Sequence, residues 1–177
     1  MTDRPERPGR PVEPVAGECG PADPSRSAEV AASAALLLGS AHAAVTVSWA
    51  VGGTAGLDLL GGTLADLVRD AGPRERLLLW LTAAAKLGAA TPGVLLVAGP
   101  RRLRRVAKHA AYAVGALLSL YGGVRTLAQG LVVAGAIEAS ADADRRAILG
   151  HLFLWDPWFL LWGCALLVAA RMQSRRR

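Results

Sequence analysis

Four long apolar runs, separated by short charged loops, constrain this sequence more than any other feature. They extend over about residues 30–51, 77–97, 110–137 and 148–170. A transmembrane helix needs about 20 predominantly apolar residues, whereas a soluble domain distributes its charges along amphipathic elements. The sequence therefore predicts an all-α, polytopic membrane protein whose residues 30–172 form an antiparallel bundle of four transmembrane helices.

The two ends of the chain differ from these runs in composition. Residues 1–29 are rich in proline and in charged side chains, and they predict a disordered tail because they contain little large apolar surface to offset the entropy lost on folding. Residues 173–177 form a short basic tail. A cleaved signal peptide ending at Ala41-His42-Ala43 is an alternative for the first run, but the segment before it is long and net acidic, unlike the start of a signal peptide.

Lysine and arginine are distributed unevenly among the loops. Five lie between the second and third runs and four at the C-terminal end, against three and two in the loops after the first and third runs. An excess marks the cytoplasmic side. The distribution predicts a cell-membrane protein with both termini in the cytoplasm. The net charge of +6 does not indicate a nucleic-acid partner, because the basic residues cluster at the ends of the apolar runs.

Small residues recur at every fourth position along three of the runs. Since close backbone approach at small residues drives helix association in lipid, these ladders predict tight helix contacts. They are Ala31-Ala35-Gly39-Ala43, Ala85-Ala89-Gly93 and Ala107-Ala111-Gly115-Ser119-Gly123. The loop at residues 54–76 alternates leucine with charged side chains, which is typical of a short amphipathic helix on the membrane surface or of a partly ordered loop.

Six polar side chains within or beside the runs are the candidates for a functional site, because ionisable residues inside a bilayer are costly and usually face the protein interior. They are Arg125, Asp156, Lys86, His42, Tyr121 and Gln129. Tyr121, Arg125 and Gln129 follow one another at four-residue spacing and form one polar stripe. Two interpretations of Arg125 remain open: a ligand for an anion or carbonyl in a cavity, or a structural pair with Asp156 or with a carbonyl at a helix end.

The pattern around the other candidates does not indicate metal or redox chemistry. His42 shares a helix face with Thr46 and Trp49 and has no second ligand at metal spacing, so it is interpreted as a hydrogen-bonded core histidine. No metal and no cofactor are predicted. The two cysteines, Cys19 and Cys164, lie in regions that should not meet, which argues against a disulfide.

Asp156-Pro157 allows two structures for the fourth run. Aspartate is a good N-cap and proline is favoured at the first helical position, so the helix could begin here. Alternatively, it begins near Ile148 and bends at the proline, which places Asp156 deeper and nearer to Arg125. Tryptophans at 155, 158 and 162 share one face and are typical of an interfacial aromatic belt, although Trp162 should lie deeper.

Two stretches resemble a known family. They are Trp49-Ala50-Val51-Gly52-Gly53 and Trp155-Asp156-Pro157-Trp158-Phe159-Leu160-Leu161-Trp162-Gly163. Together with an arginine in the third run, they resemble a DUF3995-like family of small four-helix bacterial membrane proteins, catalogued as a domain of unknown function. The resemblance covers about residues 28–172 and implies the fold and the membrane location, but no reaction. The family's histidine lies close before the first tryptophan, whereas here His42 lies two turns before Trp49, and Thr46 occupies the nearer turn.

Two functions are compatible with these observations. The first is a non-catalytic membrane protein that binds a lipid, a small apolar ligand or a partner protein. The alternative is a membrane-embedded enzyme or small transporter acting on a lipid or isoprenoid substrate, with Arg125, Asp156 and Lys86 in its pocket. A polar cavity lined by these three residues favours the alternative, and a tightly packed interior with Arg125 bonded to Asp156 favours the first function.

Overall fold

The fold is built from α-helices throughout the part of the chain that the structure describes. The computed structural model describes residues 24–139 and 144–174. Its helices are α1 Pro24–Ala50, α2 Leu57–Leu60, α3 Gly62–Arg69, α4 Pro73–Ala98, α5 Arg101–Val133, α6 Arg145–Gly150 and α7 Asp156–Ser174. A single π-helical turn, His151–Trp155, joins α6 to α7. The predicted all-α fold class is thereby confirmed for the described residues.

Four helical segments are long and apolar enough to cross a membrane. They are Arg26–Ala50, Pro73–Ala98, Arg101–Val133 and Arg145–Ser174. At about 1.5 Å per residue, each is longer than the hydrocarbon core of a bilayer, which is about 30 Å thick. Segments α1 and α5 each contact both α4 and α7, so the four long helices enclose a common interior.

The first long helix starts earlier than the sequence predicts. Helix α1 begins at Pro24, so residues 24–29, which the sequence assigns to a disordered tail, are helical. Proline at the first position of a helix loses nothing, because that N–H has no partner within the helix. The remainder of the predicted tails, residues 1–23 and 175–177, lies outside the described residues, and Cys19 lies there too.

The third long helix also differs from its predicted span at both ends. Helix α5 begins at Arg101, so the basic cluster forms its first two turns. The Arg104 guanidinium donates to the carbonyls of Val97 and Gly99 at the end of α4. At its other end, α5 stops at Val133, because Gly135 adopts a φ of +72° and closes the helix with a glycine turn. Residues 134–137 are therefore outside the helix.

The helix that contains Asp156 has the longer of the two predicted forms. It runs from Arg145 to Ser174 and continues through Pro157. The Asp156 N–H bonds to the carbonyl of His151, five residues back, instead of four. Trp155 and Trp162 are buried in the protein. An interfacial belt is therefore the wrong interpretation of Trp155, whereas Trp162 lies deep as expected, and both side chains fill the interior between the helices.

Small residues bring the helices together, although not at every predicted position. In α1 the predicted ladder is buried, and a Cβ added to Gly39 would lie 2.6 Å from Ala90 Cβ. In α4, however, Ala85 is exposed, and the buried small residues are Ala83, Ala90 and Gly93. A four-residue repeat drifts by about 40° per step on a helix of 3.6 residues per turn, so the spacing alone does not decide which members of a ladder face the neighbouring helix.

The loop after α1 folds into two short helices that cover one end of the long helices. This segment, Leu57–Arg69, is called the cap. Its buried apolar side chains pack against Trp49, Leu79 and Trp155. Trp155 Nε1 donates a hydrogen bond to the carbonyl of Leu59 in the cap at 3.0 Å, and Trp49 Nε1 donates to that of Ala55, just before the cap, at 2.9 Å. The cap is thus a structured lid rather than an irregular loop.

Candidate ligand cavity

Lys86 is held in place by two side chains of α1. Its Nζ donates a hydrogen bond of 2.6 Å to Thr46 Oγ1 and lies 3.0 Å from His42 Nδ1. Thr46 also donates to the carbonyl of His42, and both side chains are buried. Residues 42 and 46 lie one turn apart on one helix face, so they meet the lysine together.

Aromatic side chains of the π turn and α7 enclose the ring of His42. Its centroid lies 4.6 Å from that of Phe159, 5.3 Å from that of Trp158 and 5.8 Å from that of Trp155. When Lys86 donates to Nδ1, a neutral His42 carries its hydrogen on Nε2. This Nε2 is buried and has no hydrogen-bond partner among the described residues. The predicted hydrogen-bonded core histidine therefore uses only one of its two ring nitrogens.

Asp156 is the second polar centre, and its side chain is only 1% exposed. One carboxylate oxygen lies 3.2 Å from His151 Nδ1. The other lies 3.6 Å from Arg125 Nε, which is an ion pair without a hydrogen bond. Arg125 is 41% exposed, so the pair connects a buried carboxylate to the surface. Two basic side chains thus surround this carboxylate.

His151 links Asp156 to the cap. Its Nε2 lies 3.3 Å from the carbonyl oxygen of Leu60. A carbonyl oxygen only accepts, so this nitrogen must carry a hydrogen for the contact to be a bond. The hydrogen between Nδ1 and the carboxyl group then lies either on the nitrogen, which gives an ion pair, or on the oxygen, which gives a neutral pair. Either form keeps the cap tied to α7.

A cavity of about 170 Å³ lies under the cap and is bordered by both polar centres. Its polar lining is His42, Lys86, Tyr121, His151 and Asp156, and its apolar lining is Trp49, Leu60, Leu64, Trp155 and Phe159. The side chains of Tyr121 and Leu64 are about half exposed, so the cavity reaches the surface beside them. The site therefore combines polar groups inside with an apolar wall that leads outward.

The structure brings together four of the six predicted site residues. His42, Lys86, Tyr121 and Asp156 line the cavity, and Arg125 is connected to it through Asp156. Gln129 does not line it. Gln129 borders a second cavity of about 240 Å³ at the other side of His151, between the cap and α6. The stripe of Tyr121, Arg125 and Gln129 is thus divided between two cavities.

His151 is the site residue that the sequence analysis missed. Residues five apart on an α-helix point about 140° away from each other, so regular helical spacing separates His151 from Asp156. The π turn between them has bonds between residues five apart, which brings the two side chains onto one face. The available signal was a histidine within an apolar run, because ionisable residues there are rare and usually face the interior.

A match to a known protein family includes the segment that forms this site. The model of a family described as "Protein of unknown function (DUF3995)" matches residues 37–166. The chain belongs to the DUF3995 family. The match includes the stretches around Trp49 and Trp155 and all the side chains that line the cavity, so the resemblance predicted from the sequence is confirmed. No curated protein and no solved structure matches this DUF3995 chain.

The arrangement offers groups for hydrogen bonding and proton transfer. Among residues 24–139 and 144–174, no three His, Cys, Asp or Glu side chains are grouped as a metal site requires. The cavity does contain two titratable pairs, His42 with Lys86 and His151 with Asp156. The first pair lies between α1 and α4, and the second lies where the π turn meets α7. Both pairs line the same cavity, so a molecule that fills it would lie beside both.

Proposed function

We propose that this DUF3995 protein is an integral protein of the cell membrane that binds a small amphiphilic ligand in the cavity under the cap, without converting it. The observation that carries the proposal is the cavity itself, which combines polar side chains from all four long helical segments with an aromatic wall. A cavity of about 170 Å³ is smaller than the usual ligand pocket of about 300–1,000 Å³. It takes the polar end of a ligand, while the apolar part extends outward.

The outer surface of the long helices supports a place in the membrane. Each of the four exposes large apolar side chains. On α5, for example, more than half of the surface of four such side chains is exposed: Leu117, Leu120, Val124 and Leu127. Soluble monomers rarely expose contiguous apolar patches larger than a few hundred Å². In a lipid bilayer these side chains contact acyl chains instead of water, so their exposure is not unfavourable.

Contacts at glycines support an antiparallel bundle. A Cβ added at Gly39 would meet Ala90, and one added at Gly93 would meet Ala32, so α1 and α4 run in opposite directions past each other. In the same way, Gly115 lies against Gly163, while a later residue of α5, Gly122, lies against Leu160. The basic residues at the start of α5 favour the cytoplasmic side, which supports an orientation with both termini in the cytoplasm and the cap outside.

Cysteine labelling tests the orientation. Cys19 precedes α1, and Cys164 lies within the fourth long helical segment. In a Cys164→Ser background, an impermeant thiol reagent should label Cys19 in inside-out vesicles and leave it unlabelled in intact cells. Labelling of Cys19 from outside intact cells would overturn the orientation.

Native mass spectrometry with a matched pair of variants tests ligand binding. Leu64 lines the cavity mouth, whereas Leu67 lies one turn further along the same helix, is also exposed and does not line the cavity. Leu64→Trp should remove a co-purified amphiphile because the indole fills the opening, and Leu67→Trp should retain it. An amphiphile retained equally by both variants would argue against the cavity as its site. A co-purified polypeptide, with no small molecule, would favour a partner protein instead.

The alternative function is a membrane-embedded enzyme or small transporter for a lipid or isoprenoid. The two titratable pairs in one cavity favour it, because general acid–base chemistry needs such groups within reach of one substrate. The mass of the bound molecule separates the two proposals. A chemically altered amphiphile that disappears in Asp156→Asn would favour catalysis, whereas the same unaltered molecule in both proteins supports binding alone.

A further inference from the structure

We infer that the ligand cavity holds the anionic oxygen group of an amphiphile, a carboxylate or a phosphate, with Lys86 and His42 as its donors. The inference rests on the proposed function, since it names the chemistry of the ligand that the cavity takes. It depends on the balance of charge and of hydrogen-bond donors around the cavity.

The two charged centres of the cavity differ in how their charge is balanced. The Asp156 carboxylate has Arg125 at 3.6 Å and His151 at 3.2 Å. Lys86 has only the neutral groups of His42 and Thr46 as partners, and no carboxylate of the described residues forms an ion pair with it. An ammonium near the middle of a membrane span is costly without a counter-ion. The missing charge in this cavity is therefore negative.

The free hydrogen-bond donors lie beside the same lysine. An ammonium group has three hydrogens, and two of those on Lys86 point to Thr46 Oγ1 and His42 Nδ1. The third hydrogen is available to a ligand. His42 is 4% exposed and lines the cavity, and its Nε2 has no partner among the described residues. Two neighbouring donors without an acceptor match the oxygens of a carboxylate or phosphate, which only accept when ionised.

The walls of the cavity indicate that the anion belongs to an amphiphile. The ring of Tyr121 packs edge-on against Phe159, with centroids 5.4 Å apart, and together the two rings line an aromatic path from the polar groups to the surface. Tyr121 is 48% exposed. An acyl or alkyl chain attached to the anion would leave along this path into the lipid, where its burial is favourable.

Tryptophan fluorescence titrations test the inference, because Trp49 and Trp155 line the cavity. The protein is placed in phosphatidylcholine nanodiscs and titrated with dodecanoate, dodecyl phosphate and dodecanol, and with acetate and inorganic phosphate. Both anionic amphiphiles should bind at least about tenfold tighter than dodecanol, because hydrogen bonds to charged groups are the stronger ones. Acetate or inorganic phosphate that bound as tightly as the amphiphiles would overturn the assignment in favour of a free anion.

Two substitutions of Lys86 separate its charge from its shape. Lys86→Met keeps an unbranched chain but removes the charge, so it should weaken dodecanoate binding about tenfold to a hundredfold and leave dodecanol binding unchanged. Lys86→Arg should retain the preference for the anion. Thermal unfolding of each variant checks that it is folded.

The same titrations distinguish the two proposals. If dodecanol and dodecanoate bind equally well to the original protein and to Lys86→Met, and Leu64→Trp blocks both, the anion assignment is wrong and the ligand cavity stands. If no amphiphile shows saturable binding that Leu64→Trp blocks, the proposed function itself is wrong.

Discussion

The two halves of the molecule are held together by different kinds of contact. In the half away from the cap, here called the small-residue half, the buried side chains are mostly alanine: Ala28, Ala31, Ala32, Ala35, Ala90, Ala107, Ala111, Ala169 and Ala170. In the other half, called the capped half, the buried side chains include Trp49, Trp155, His42 and Asp156. The helices of the first half approach closely, whereas those of the second enclose a cavity.

This difference indicates how one set of helices performs two tasks. Small residues allow backbones to touch, so the small-residue half gains its stability from close packing. Large rings and polar groups separate the helices in the capped half. Hydrogen bonds from Trp155 and His151 to the cap, and from Trp49 to Ala55 just before it, close the space again. Substitutions that add volume should therefore lower the stability of the small-residue half. In the capped half, the substitutions that lower stability should be those that remove a polar partner.

The largest effect is expected from removing the buried carboxylate of the capped half. Asp156→Ala leaves His151 and Arg125 without their acceptor, and it should lower the free energy of unfolding by about 3 kcal/mol, as for other broken buried pairs. Arg125→Ala should cost less, because Arg125 is partly exposed and His151 still contacts the carboxylate. Thermal or denaturant unfolding in detergent measures both. An equal or larger loss for Arg125→Ala would show that the arginine, rather than the histidine, is the main partner of Asp156.

A smaller effect is expected from adding one methyl group at Gly163, one of the close contacts between α5 and α7. A Cβ at Gly163 would lie 2.5 Å from the backbone nitrogen of Ser119 and 2.6 Å from the carbonyl oxygen of Gly115. Gly163→Ala should therefore force the helices apart and cost about 1–3 kcal/mol of unfolding free energy. Gly123→Ala is the matched control, because its Cβ would meet only Leu160 Cδ1 at 3.8 Å. Equal unfolding temperatures for the two variants would contradict the close-packed interface.

The sequence predicted where the helices lie in the chain better than it predicted which face of each helix contacts its neighbours. Apolar runs and basic clusters located the four long helices, because length and hydropathy are local properties of the chain. The four-residue ladders placed α5 against its neighbours through Gly123, but Gly122 makes the close approach to α7. Whether Gly122 or Gly123 faces α7 depends on a rotation of α5 by one residue. The only sequence signal for that rotation is the drift of the 3.6-residue period.

The site shows the same limit. The cost of burying charge identified Lys86 and Asp156, since that cost is a property of each side chain alone. The partner of each could not be deduced in the same way. Thr46 and His42 meet Lys86 across 40 and 44 residues of sequence, and His151 meets Asp156 only because a π turn changes the helical register. Tertiary contacts and one irregular turn therefore account for what the sequence left open.

The smallest expected effect concerns the hydrogen bonds that close the capped half. Trp155→Phe keeps an aromatic ring but removes the donor to the Leu59 carbonyl, which should cost about 1 kcal/mol. Because this bond ties down the cap, the loss should appear as about fivefold faster amide hydrogen exchange in the cap, with little change in the small-residue half. Trp158→Phe is the control, since its indole donates to the carbonyl of Leu38 in α1 and leaves the cap bonds intact. Equal exchange in the cap for both variants would mean that apolar packing alone holds the cap, and that the capped half is closed by the same kind of contact as the other half.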